Sequence, residues 1–248
     1  MLSVQGRPVP FSFFEGYVRY NGIAMTKLII FDMDGLLLDS ERQMYSKLGM
    51  EVSSKLGMPV SLDFLASLMG NGWDIYERRL AEHMGKDFPI DEYMRLMHER
   101  ITYTIENVPI PMRPGAREVL DYCKKSGYLM AIATSTHKKQ AYRCLENAGI
   151  FDYFDHIITG DQVSKGKPDP EIYLKTLEHF GIDADEALVL EDGHNGSLAA
   201  FSAGIRLVIV EDLAYISEED RQKAYLHTYD IRDVIPLLRS ENEAAAGA

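Results

Sequence analysis

At 248 residues, with 46% hydrophobic and 26% charged side chains, the chain reads as one large globular α/β domain or a core with a smaller module. Its formal net charge of -12 excludes the basic stripe of a nucleic-acid or anionic-membrane surface, yet allows a phosphorylated substrate beside a local cation. No apolar run reaches the roughly 18 residues of a spanning helix. Cys123 and Cys144 stand outside any metal-ligand spacing, which fits free thiols in a reducing cytoplasm.

Residues 1–24 follow neither a helical nor a strand period and lack the charged-then-apolar order of a signal peptide. Met25 stands directly before the first apolar run, so an N-terminal extension of little order is expected ahead of it. Leu28–Phe31 reads as a buried strand, and it ends abruptly in Asp32-Met33-Asp34-Gly35. About 70 helical residues follow. Met44, Leu48, Met50 and Val52 lead a first helix that stops near Gly57, and Phe64, Leu65 and Leu68 lead a second. Ile75, Leu80 and Met84, then Tyr93, Met97 and Ile101, continue the spacing. Pro109–Gly115 breaks the pattern. From there helices over Ala116–Lys125, His137–Asn147, Pro170–Phe180 and Asn195–Ala203 alternate with strands over Tyr128–Ala133, His156–Thr159, Ala187–Leu190 and Leu207–Val210. Such alternation predicts a doubly wound parallel sheet with helices on both faces. The expected organisation is an α/β core over 25–40 and 112–239, a helical insertion over 41–111 as a separate small bundle, and a frayed tail over 240–248.

Four polar clusters follow strands and should meet at the sheet's carboxyl edge, where open α/β sheets bind ligands. They are Asp32 with Asp34, Thr134-Ser135-Thr136, Lys167-Pro168, and Glu191-Asp192-Gly193. Thr134 and Ser135 could be helix N-caps, Lys167 a solvated loop lysine, and Glu191-Asp192 a strand end that caps the next helix. The Asp32-x-Asp34 pair resists such a reading. Desolvated like charges at the end of a buried strand are costly unless a cation sits between them. At a strand's carboxyl end, that pair makes half of a magnesium site with a nucleophile in place.

The ordered set of Asp-x-Asp-Gly, Thr-Ser, Lys-Pro and Glu-Asp resembles the haloacid dehalogenase superfamily, and the helical insertion resembles its mobile cap. Asp32–Glu41 and Gly166–Tyr173 are similar to the sugar-phosphatase and β-phosphoglucomutase-like branch, and the resemblance covers residues 26–235. It implies that Asp32 attacks phosphorus and forms an aspartyl-phosphate. Mg²⁺ would be held by the Asp32 carboxylate, the Asp34 backbone carbonyl and Asp192, with Glu191 orienting a bound water. Asp34 would serve as acid and then base. Thr134 and the backbone at Ser135 would bind phosphoryl oxygens, Lys167 would pair with Asp32 and the phosphate, and Gly35 would permit the sharp turn.

The insertion departs from the mutase pattern. Met44 matches the position of the mutases' first cap histidine, and the loop Met69-Gly70-Asn71-Gly72-Trp73-Asp74 carries no arginine to grip a second phosphate. Arg78 and Arg79 read as solvated helix positions, and Trp73 as either core or a platform for sugar stacking. Gly193 stands where many relatives carry serine, and His194 reads as a polar helix start. A phosphorylation-dependent receiver is opposed by the Asp-x-Asp spacing and the large insertion. A dehalogenase proper is opposed by Asp34, since that chemistry has no leaving alcohol to protonate. The expected function is a cytoplasmic Mg²⁺-dependent phosphatase of a small phosphorylated metabolite, a sugar or polyol phosphate, with a phosphosugar mutase as the alternative. Neither nucleic acid nor membrane is an expected partner, and the chain should be a monomer or a weak homo-oligomer.

Overall fold

The computed structural model describes residues 25–68 and 73–246. The expectation for residues 1–24 and the loop positions 69–72 lie outside the described residues. The chain enters through β1 (Leu28–Phe31), leaves the sheet for a helical insertion, and returns to complete it. The insertion opens with a π-helical segment, Glu41–Lys47, and continues through α1 (Leu48–Lys55), α2 (Leu62–Ala66), α3 (Trp73–Met84) and α4 (Ile90–Asn107). The core then runs α5 (Ala116–Lys125), β2 (Leu129–Ala133), α6 (Lys138–Asn147), β3 (His156–Ile158), α7 (Glu171–Phe180), β4 (Ala187–Glu191), α8 (His194–Ser202) and β5 (Arg206–Val210). It closes with α9 (Glu218–Lys223), β6 (Leu226–Thr228) and α10 (Val234–Ala246).

All six strands pair in parallel in the order β3-β2-β1-β4-β5-β6. The order reverses at β1, so the connections leave in opposite directions there and open a crevice at the strand ends. Register aligns Phe31 with Ile132 on one side and Leu190 on the other. The residues that follow, Asp32, Ala133 and Glu191, therefore emerge level with one another. Both faces are covered, which accounts for the unbroken apolar strands. Ile29, Phe31, Ile132 and Leu190 pack on one face with α5 and α6. Leu28, Ile30, Ala131 and Val189 pack on the other with Ile172 and Tyr173 of α7 and Ala199 and Ala200 of α8.

The insertion does not keep a core of its own. Met33, Leu36, Leu37 and Leu38 carry the first sheet-face cluster into Met44, Leu48, Val52, Leu65, Leu80, Tyr93 and Met97 without a break. Met50, read with Met44, Leu48 and Val52 as an apolar residue of the first helix, is exposed, whereas the other three are buried. It stands two residues from Leu48 and from Val52, about 200° round an α-helix, and so on the opposite face. The start of the tail departs from its expectation. Residues 240–243 are the continuation of α10, and Glu241 accepts from Arg206 Nη1 at 2.7 Å, Tyr225 OH at 2.9 Å and Thr26 Oγ1 at 2.6 Å. Asn242 donates to Tyr128 OH. A buried acceptor with three partners fixes that turn to the sheet's amino edge.

Candidate active site

Asp32, Thr134, Lys167, Glu191 and Asp192 come together at the carboxyl ends of β1, β2 and β4, from positions up to 160 residues apart in the chain. Lys167 is the hub. Its Nζ donates to Asp32 Oδ1 at 2.6 Å, Glu191 Oε1 at 2.7 Å and the Ala133 carbonyl at 2.9 Å, which uses all three ammonium protons. The lysine side chain is only 6% exposed, so the solvated-loop reading does not hold. Burial draws the lysine's pKa down, but Asp32 and Glu191 outweigh it and hold it well above the ordinary value.

Glu191 is engaged at both oxygens. Besides Lys167, Oε1 accepts from Tyr173 OH at 3.0 Å, and Oε2 accepts from the backbone N–H of Asp192 at 3.0 Å and of Gly193 at 3.2 Å. It orients Lys167 and the loop that carries Asp192. Asp192 is different. It is buried, and its Oδ2 finds no donor among the described residues. Gly35, at φ +85°, lies under it so closely that a Cβ there would sit 2.0 Å from that oxygen.

Asp32, Glu191 and Asp192 each offer an oxygen within 4.8 Å of the others. Three carboxylates face one ammonium, leaving two negative charges in excess, which a divalent cation balances. Burial pushes Asp32 up to about 7, Lys167 opposes the rise, and Glu191 and Asp34 add to it. Burial, then the charges of Glu41, Glu191 and Asp32, hold Asp192 well above the carboxylate range. An unpartnered buried carboxylate oxygen beside an acidic cluster is what oxygen-ligated divalent ions fill, so the donor set fits such an ion.

Asp34 sits apart from this cluster. Its Oδ2 accepts from Thr136 Oγ1 at 2.7 Å and more weakly from Thr134 Oγ1 at 3.4 Å. Thr134 is buried and takes the Thr136 N–H at 3.0 Å, while His137, rather than Thr134, precedes α6 as its N-cap. Ser135 is exposed at the mouth, where Gly160 lets the backbone of Ser135 approach: a Cβ at Gly160 would lie 2.2 Å from the Ser135 carbonyl. Three residues close to the centre went unassigned from sequence. Thr136 shared the quoted Thr-Ser-Thr run, and its spacing from Thr134 was the available signal. Gly196 lies inside α8, where a glycine costs stability unless something approaches closely. A Cβ there would stand 1.7 Å from Glu191 Oε1. Tyr173 gave no signal, because only the packing of α7 under the sheet brings it to Glu191.

On the insertion, Trp73 is 42% exposed and packs against Tyr45 and Tyr76 with ring centroids 5.4 Å away in each case. Burial, then the charges of Asp34 and Glu41, raise the Tyr45 phenol. Met44 is buried in the apolar cluster. Arg78 is exposed, and Arg79 donates to the Ser67 carbonyl. His194 pairs through Nδ1 with buried Asp220. Cys123 and Cys144 are buried thiols, both pushed up to about 12 by burial, with the Asp34 charge adding at Cys144. Among the described residues no helix is long and apolar enough to cross a membrane.

A sequence profile described as "Haloacid dehalogenase-like hydrolase" matches residues 29–210. The "Phosphorylated carbohydrates phosphatase" of Thermotoga maritima is 34% identical over 184 residues, covering 73% of this chain and 82% of the relative. "Hexitol phosphatase B" of Escherichia coli is 28% identical over 188 residues, covering 73% and 82%. The crystal structure of a candidate β-phosphoglucomutase from Thermotoga maritima superposes with a TM-score of 0.71 at 29% identity, over 87% of this chain and 99% of that one. The profile spans most of the chain and contains every polar cluster at the sheet's carboxyl edge. The chain belongs to the haloacid dehalogenase-like hydrolase family.

Proposed function

We propose that this protein is a Mg²⁺-dependent phosphatase that hydrolyses a small sugar or polyol phosphate through an aspartyl-phosphate. The observation that carries the reading is Lys167 Nζ bridging Asp32 and Glu191 beside the unpartnered Asp192 Oδ2. Asp32 is the nucleophile, and its bond to Lys167 fixes the carboxylate's orientation and offsets repulsion from an incoming phosphate. Asp32, the Asp34 carbonyl and Asp192 would hold Mg²⁺. Bound there, the ion would neutralise charge on the phosphoryl oxygens.

Asp34, oriented by Thr136, protonates the leaving oxygen and then takes a proton from the attacking water. Thr134 and the backbone at Ser135 receive phosphoryl oxygens. Trp73 and Tyr45 offer an aromatic edge to the sugar or polyol portion. The names of the relatives, phosphatases of phosphorylated carbohydrates and hexitols, support this substrate class. A mutase has less support: the position matching its first cap histidine is a buried methionine. The two buried free thiols agree with a cytoplasmic location.

The test combines two variants with a panel of phosphorylated sugars and polyols, including glucose 1-phosphate followed for glucose 6-phosphate. Asp32→Asn should abolish both turnover and trapping of phosphate on the protein. Asp34→Asn should slow sugar phosphates more than p-nitrophenyl phosphate, whose leaving group needs little protonation. Equal losses on both substrates remove Asp34 from the acid role, and accumulation of glucose 6-phosphate without free phosphate makes the protein a mutase.

A further inference from the structure

A fifth polar run, Thr159-Gly160-Asp161-Gln162, follows a strand and stands outside the set assigned to chemistry. It leaves β3 at the sheet's carboxyl edge and lies against the turn that joins β2 to α6. Three bonds tie the two segments together. Thr134 N donates to the Ile158 carbonyl and Gly160 N to the Thr136 carbonyl, each at 3.1 Å, and Lys138 N donates to Asp161 Oδ1 at 2.9 Å. The same Asp161 oxygen accepts from Oγ1 of buried Thr159 at 2.7 Å.

We propose, on the phosphatase reading above, that Gly160 and Asp161 are positioning residues that hold the 134–136 turn in its phosphoryl-binding shape. Alternate amides of the turn are tied down. The Thr134 N–H goes to Ile158, the Thr136 N–H to Thr134 Oγ1 at 3.0 Å, and the Lys138 N–H to Asp161. The Ser135 backbone, assigned to the phosphoryl oxygens, lies between two anchored neighbours. Thr136 carries the arrangement on to the acid. Its carbonyl is held by Gly160, while its Oγ1 donates to Asp34 Oδ2 at 2.7 Å. Donors fixed before the phosphate arrives need no reorganisation as charge develops.

The two residues act in different ways. Gly160 supplies space: a Cβ there would lie 2.2 Å from the Ser135 carbonyl oxygen and 2.9 Å from its carbon. Both are backbone atoms, so no change of rotamer relieves the clash and the turn itself must shift. Asp161 supplies an acceptor. It is exposed, and both of its bonds end on Oδ1, an oxygen that an asparagine also offers. Glu191 and Asp192 are carried by β4, on the far side of β1 from β2 and β3. Changes at Gly160 and Asp161 should therefore disturb phosphoryl binding and spare the cation's ligands.

The experiment compares Gly160→Ala, Asp161→Ala and Asp161→Asn with wild type in the full chain with Mg²⁺. It measures binding of inorganic phosphate by calorimetry, and turnover of a sugar phosphate and of p-nitrophenyl phosphate. The Mg²⁺-dependent rise in Tm and hydrogen exchange at the Thr136 amide are read beside them. In Gly160→Ala the Ser135 carbonyl must recede by about 1 Å, which should lower kcat/KM for the sugar phosphate roughly 100-fold. Asp161→Ala removes one acceptor and should weaken phosphate binding about tenfold. In both, p-nitrophenyl phosphate should suffer less, because a displaced Thr136 adds to the loss where Asp34 must protonate the leaving oxygen. Both should exchange the Thr136 amide faster and keep the Mg²⁺-dependent rise in Tm. Asp161→Asn, which keeps the acceptor, should stay within about twofold of wild type. If Gly160→Ala does not fold, the two Asp161 variants decide. Unchanged phosphate affinity in the alanine variants, a lost Mg²⁺ response, or an asparagine variant as impaired as the alanine one would overturn the positioning role. Absence of phosphate binding and turnover in every form would sink the phosphatase reading, while Thr136 exchange would still decide whether the segment after β3 holds the turn.

Discussion

Gly35→Ala tests the centre of the site with one methyl group. The added Cβ would stand 2.0 Å from Asp192 Oδ2, and real Cβ atoms keep at least 3.0 Å, so the carboxylate must recede by about 1 Å. Mg²⁺ demands near-ideal octahedral geometry with ligands at about 2.0–2.1 Å, so a shift of that size would remove Asp192 from the proposed ligand set. A misplacement of about 1 Å can cost roughly 100-fold in rate. The left-handed φ of +85° adds a backbone cost of about 1–2 kcal/mol for a residue with a Cβ. In a chain of this size that lowers Tm by about 2–8 °C. The assay is thermal unfolding against Mg²⁺ concentration, run beside turnover. In the wild type, saturation at about 100 times Kd should add about 2.7 kcal/mol. In Gly35→Ala the protein should remain folded, with most of that Mg²⁺ gain lost and activity down about 100-fold. A variant that keeps the full Mg²⁺-dependent rise in Tm and more than a tenth of its activity would refute Asp192 as the carboxylate that holds the ion.

Lys167→Met should be inactive and destabilised by about 3–5 kcal/mol, because it removes the ammonium bonded to Asp32 and Glu191 while leaving both carboxylates buried. Chemical denaturation at pH 7 measures the loss, and a cost below about 1 kcal/mol would contradict the bridging role. In the metal-free protein, the folded-state pKa of Asp32 lies at about 7, above its unfolded value. Its contribution to stability is thus complete below about pH 4 and is lost as pH rises through about 7. Asp192, raised for the same reason, acts in the same direction. Chelator-treated protein should therefore melt progressively lower from pH 5 to 8, and Mg²⁺ should close the gap most at the upper end. A Mg²⁺-induced rise in Tm that shrinks with pH across that range would count against the cluster as the cation's seat.

The core was legible in the sequence because its signals are local. Five of the six strands found among the described residues are apolar runs ended by turn or polar residues, and Asp32, Asp34, Thr134, Lys167, Glu191 and Asp192 stand at or just past strand ends or in the loops between them. β6 escaped detection: Leu226-His227-Thr228 is a three-residue edge strand, and its leucine is only partly buried. The end of α10 also looked dispensable, since the partners of Glu241 lie 16, 35 and 215 residues away in the chain. Met50 was grouped with Met44, Leu48 and Val52 by hydrophobicity alone, although a step of two residues is about 200° round an α-helix and leads to the other face.

The sequence alone determined which groups could do chemistry here. Carboxylates at the ends of buried strands have no structural use without a cation, and that cost follows from residue type and position. Tertiary structure divided the labour among them. Glu191 and Asp192 are neighbours in sequence with the same functional group. Glu191 is saturated by Lys167, Tyr173 and two backbone N–H groups, whereas Asp192 keeps a buried oxygen above Gly35 that has no donor among the described residues. Their difference is one of hydrogen-bond partners, which come from α7, the β4–α8 loop and a lysine 24 residues away from Glu191. Only the folded chain brings those partners within reach.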